Sequence, residues 1–114
     1  MDITTPGQVI AELNRLTAEA AKGPQAIYEA EKAVAAAELA YDRTYSLALL
    51  NAEGKTADDR KAIATIEAGE AKFELALAKA NLNRVRLKLK QLESAQVAAS
   101  VIARLVENEM RMAR

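Results

Sequence analysis

Apolar residues recur at helical spacing along almost the whole chain. Val9, Leu13 and Leu16 form the first run, behind a pair suited to start a helix. Thr5 offers a capping hydroxyl, and Pro6 falls in the first turn, where its missing N–H costs nothing. The pattern predicts a helix over residues 5–22, broken or kinked at Gly23 and Pro24. From Gln25 to Leu50 there is no breaker, and Ile27, Ala30, Val34, Ala37, Tyr41 and Ala48 fall on one stripe, which predicts a second helix over 25–51. Gly54 then has the position of a left-handed C-cap, and Thr56 can cap a third helix with Asp58 and Asp59 in its first turn. That helix is predicted to run over 57–112, weakened only at Gly69, and to fold back on the second as an antiparallel hairpin.

One stretch contradicts this picture locally. Arg84, Val85, Arg86, Leu87, Lys88, Leu89 and Lys90 alternate basic and apolar residues, the pattern of a half-buried strand. Extending the register removes the conflict. Leu75, Ala78, Leu82, Val85, Leu89, Leu92, Gln96, Ala99, Ala103, Val106 and Met110 follow spacings of three and four straight through it. A second stripe, Ile63, Ile66, Phe73, Leu77, Ala80, Leu87, Ala98, Val101 and Leu105, lies on another side, and its first part is expected to cover the second helix. The alternation is therefore two apolar stripes separated by the basic pairs Arg84/Lys88 and Arg86/Lys90. Two apolar faces on one helix need two neighbours, so an all-α hairpin with a short N-terminal helix and a long coiled-coil-like C-terminal helix is expected to assemble into a bundle or ring. Leu75, Leu82, Val85, Leu89, Leu92, Val101, Leu105 and Val106 are the candidate contacts between copies.

Composition strengthens the case for assembly. The 114 residues are 51% hydrophobic, but much of this is alanine, which buries little area and leaves a single helical domain with a thin core. With no Cys and no His, disulfides, thiolate nucleophiles, the usual zinc sites and a Ser-His-Asp triad are excluded. No acidic loop has EF-hand spacing, no apolar run approaches a membrane span, and no signal-peptide pattern is present, so a cytoplasmic protein without membrane contact is expected. No catalytic, cofactor or metal site can be assembled from the residues, and a non-enzymatic role follows as the expectation.

The net charge of zero conceals an asymmetry. Residues 1–53 carry four basic and eight acidic side chains, whereas residues 54–114 carry twelve basic and eight acidic. Between Leu75 and Leu92 stand Lys79, Arg84, Arg86, Lys88 and Lys90 with no acid. Like charges at i,i+4 repel, so an anion or an acidic helix is needed to compensate them. Such a strip suits nucleic-acid phosphates, bound without sequence preference and with steep salt dependence, or acidic residues of a neighbouring copy. Lys55, Arg60 and Lys61 form a second basic group beside a helix start; the glycine spacing of a P-loop is missing, and a hairpin tip touching nucleic acid is the better reading. Tyr41 and Tyr45 lie one turn apart around Arg43, Tyr41 on the apolar stripe and Tyr45 more open, where it could stack on a base.

The layout around "AYDRTYSLALLNAEGKTADDRKA" (Ala40–Ala62) and the long helix after it resembles the UvsY-like recombination mediators of tailed phages. The resemblance implies a ring-shaped homo-oligomer that binds single-stranded DNA and helps load a phage recombinase onto DNA coated with single-strand-binding protein. The helix before the loop is rich in Lys and Arg in that family but acidic and alanine-rich here. The DNA contact would then move to Lys55, Arg60 and Lys61, or to Lys79, Arg84, Arg86, Lys88 and Lys90. Two other classes remain open: a coiled-coil assembly or adaptor protein, and a small helical inhibitor or regulator that docks on another protein.

Overall fold

The computed structural model describes residues 5–113, and among these every regular element is a helix. In chain order they are α1 (Pro6–Ala21), α2 (Gly23–Asn51), α3 (Ala57–Glu67) and α4 (Gly69–Met112). The start of α1 is a reciprocal cap. Thr5 Oγ1 accepts from the Gln8 N–H at 3.2 Å while Gln8 Oε1 accepts from the Thr5 N–H at 3.2 Å, so two orphan donors are satisfied. The corner between α1 and α2 is a single residue. Lys22 keeps right-handed helical angles, and its carbonyl accepts from the Ala26 N–H at 3.1 Å. Pro24 is harmless there because it occupies the first turn of α2.

The loop after Asn51 departs from expectation in one respect. No described residue has a positive φ, so Gly54 does not form a left-handed C-cap. It is a glycine for want of space: a Cβ on Gly54 would lie 2.9 Å from the Arg60 backbone nitrogen and 3.0 Å from Asp59 Cβ. The loop crosses directly over the first turn of α3, which Thr56 caps by accepting from the Asp59 N–H at 3.1 Å. Asp58 and Asp59 stand at the positive end of that helix. The third predicted helix is two helices, α3 and α4, divided at Ala68 (φ −89°, ψ 4°) just before Gly69. Hydrogen bonding carries across the division, with Ala68 N–H to Ala64 O and Lys72 N–H to Ala68 O both at 2.9 Å.

Two compact units follow from this order. The first joins α1 and the start of α2, as far as Ala26, to the later part of α4, from Val85 onward. Val9 and Leu16 are each 2% exposed here, Ala99 is buried, and Leu89, Leu92, Ala103 and Val106 are half-buried. Gly23 is buried against Leu89, whose Cδ1 lies 2.5 Å from where a glycine Cβ would be, so the corner comes close to α4. Gln96 Nε2 donates to Thr17 Oγ1 at 3.3 Å, a side-chain link between the two helices.

The second unit, residues 27–84, is the hairpin of α2 with α3 and the first part of α4. The predicted stripe of α2 turns inward: Ala30 and Ala48 are buried, and Ile27, Val34, Ala37 and Tyr41 are half-buried. On the facing helices the buried residues are Ala64 and Ala68, with Ala71, Leu75, Ala78 and Leu82 half-buried beside them. Thus the second stripe does not cover α2; Ile66, Phe73 and Leu77 are exposed and only Ile63 is half-buried. The cause is helix spacing. A face of small residues lets two backbones approach, and the larger side chains are then held on the outside.

Candidate nucleic-acid interface

The basic residues singled out by the sequence all point to solvent. In the hairpin unit, Lys55 lies in the loop before α3, Arg60 and Lys61 on the first turns of α3, and Lys79 and Arg84 on α4, all exposed. Arg84 Nη2 donates to Asn81 Oδ1 at 3.0 Å, a bond to a neutral acceptor that leaves its charge uncompensated. In the other unit, Arg86, Lys88 and Lys90 are likewise exposed on α4, with Arg86 and Lys90 one turn apart. Lys55, Arg60, Lys61, Lys79, Lys88 and Lys90 make no ion pair among the described residues.

Three ion pairs sit elsewhere, within α1, at its C-terminal corner and within the last turns of α4. They are Arg15 with Glu12, Lys22 with Glu19 at 3.4 Å, and Arg111 with Glu107 at 2.9 Å. The hydrogen bond from Arg15, reinforced by its charge, holds the Glu12 carboxyl below its ordinary range and raises the Arg15 guanidinium in turn. All three pairs link residues three or four apart on the surface, so each contributes little to stability.

One cation of the hairpin unit escaped the reading of the sequence. Lys72 is exposed on α4 seven residues before Lys79, hence on the same side of the helix. The heptad interval to Lys79 is the signal that points to it, and Glu70 and Glu74 flank it in the sequence. The tyrosines pack as a pair rather than standing open. Tyr41 and Tyr45 are both half-buried with ring centroids 6.2 Å apart and planes tilted by 33°. The aromatic rings that do face solvent are Tyr28 and Phe73, the latter 61% exposed.

The candidate contacts between copies divide into two groups. Leu75, Leu82, Val85, Leu89, Leu92 and Val106 are half-buried within the chain itself, while Val101 and Leu105 are exposed. Val106 also lines an open groove of about 330 Å³ in the first unit, together with Pro6, Val9, Ile10, Ala103, Glu107 and Met110. Among the described residues there is no cluster of acids that could hold a metal ion, and no helix is long and apolar enough to cross a membrane. Comparison with protein-family models, with curated proteins and with solved structures gives no match.

Proposed function

We propose that this chain is a non-enzymatic, self-associating accessory protein that binds single-stranded DNA through the exposed cations of α3 and α4. The observation that carries the reading is the acid-free run from Leu75 to Leu92, whose five cations are all exposed. Like charges at close intervals on a helix repel, and a phosphate backbone relieves that repulsion; Lys79, Lys88 and Lys90 make no ion pair among the described residues. Exposed Phe73 adds a ring on which a base can stack, which favours a single strand over a duplex. The reading agrees with the UvsY-like layout. It makes a recombinase or a single-strand-binding protein the protein partner, in the cytoplasm of a host cell and with no role for a membrane or a cofactor.

The experiment is fluorescence anisotropy of labelled oligo-dT with the full chain across a salt series. Alanine at Arg84, Arg86, Lys88 and Lys90 together should weaken binding and flatten the dependence of log K on log salt by about 3 units, because each lost phosphate contact on a single strand removes about 0.7. Absence of binding at low salt removes the reading. A second reading, a helical assembly or adaptor protein, is favoured by the exposed Phe73, Leu77, Val101 and Leu105. It would be left standing by that result.

A further inference from the structure

The later part of α4 carries a face whose charges are arranged to match a second copy of itself. Glu93, Gln96, Val97, Ser100, Val101 and Arg104 line one shallow depression along the helix. Val97 is 66% exposed and Val101 is exposed beside it, so the middle of the face is apolar and open. Glu93 and Arg104 mark its two ends. They are eleven residues apart, which is three turns plus about 20°, so they stand almost in line and about 16 Å apart along the axis. Both are exposed, and neither makes an ion pair within the chain among the described residues.

We infer that this face is the contact between two copies of the chain, related by a two-fold axis and with their α4 helices antiparallel. The axis lies midway between Glu93 and Arg104, between Ala98 and Ala99 in the sequence. A two-fold contact is self-complementary, so each residue meets the one equally far on the other side of the axis. Glu93 then meets Arg104 of the second copy, Arg104 meets the second copy's Glu93, and Val97 comes against Ser100. The small Ser100 admits a close approach of the helices there. A parallel pairing would instead set Glu93 against Glu93 and Arg104 against Arg104. The charges therefore choose the orientation as well as the partner. Three turns of helix make a small interface, of the class that associates weakly and reversibly, with Kd in the micromolar range or above. The inference rests on the self-association in the proposed function and not on its DNA binding, which anisotropy reads separately.

The test is sedimentation velocity of the full chain over a concentration series. Glu93→Arg alone and Arg104→Glu alone should each weaken association about tenfold, because each turns two attractive contacts into two repulsive ones. An equimolar mixture of these two variants should associate at least as tightly as the unaltered chain, since both mixed contacts are again of opposite charge. The double exchange in one chain should restore association as well. Circular dichroism confirms that each variant keeps its helices. Where a reversal does not fold, Glu93→Gln and Arg104→Gln carry the test, with an expected weakening of about threefold. A chain that is monomeric at every concentration, reversals without effect, or a mixture no tighter than either variant alone would each overturn the inference.

Discussion

Alanine in place of glycine should have opposite effects at two positions of the same hairpin unit. At Gly69, the first residue of α4, an added Cβ meets nothing within 4 Å. The substitution then only removes freedom from the unfolded chain and favours the helix, which stabilises by about 0.5–1 kcal/mol. At Gly54 the same methyl would sit 2.9 Å from the Arg60 backbone nitrogen and 3.0 Å from Arg60 Cγ. That nitrogen is fixed by its own hydrogen bond to Thr56 O at 3.1 Å, so relief requires lifting the loop or opening the start of α3. Overpacking of this kind costs about 1–3 kcal/mol, against the same gain of about 0.5 kcal/mol through the unfolded chain. A net loss of about 1–2 kcal/mol is expected for Gly54→Ala. Urea unfolding followed by circular dichroism reads both variants, with the midpoint rising at Gly69 and falling at Gly54. Midpoints that move in the same direction would refute the argument from space.

Two further outcomes follow from packing and charge. Leu16→Ala removes one of the two large side chains that are almost wholly buried between α1 and α4. A loss of about 2–3 kcal/mol is expected in the same urea assay, at the lower end for such truncations because a two-helix contact can partly collapse into the space. Glu12→Gln tests the depressed carboxyl. A group whose folded pKa lies below its unfolded value stabilises above the unfolded value, and that contribution disappears as pH falls through the folded one. The unaltered chain should therefore be more stable than Glu12→Gln at pH 7, with the gap closing in strongly acidic solution. A gap that persists there would assign the effect to something other than the Arg15 contact.

The helices were legible in the sequence because their signals are local. The cap at Thr5, the corner at Gly23 and Pro24, the inward stripe of α2 and the helical nature of Arg84–Lys90 all depend on residues within a few turns. Which stripe of the hairpin's second arm turns inward was not legible. Hydropathy gives Phe73 and Leu77 more weight than Ala64 and Ala68, whereas close packing of two backbones selects the alanines. Gly54 shows the same limit: its position after a helix suggested a backbone angle, but the need is set by Arg60, six residues on. The cations were visible from composition, and their exposure follows from lying off the buried stripe. That Glu93 and Arg104 are exposed on one side of α4 without an ion pair among the described residues follows only from the three-dimensional arrangement.

Among the described residues, five of the seven buried hydrophobic ones are alanines, namely Ala30, Ala48, Ala64, Ala68 and Ala99. Their side chains have no rotamers to freeze, so ordering them costs no side-chain entropy. They also uncover little apolar surface when the chain opens. The heat capacity of unfolding scales with that surface, so this protein should have a low value for its length and a shallow stability curve. Its resistance to unfolding would then change slowly with temperature in both directions, cold as well as heat, a behaviour set by methyl groups rather than by any large core.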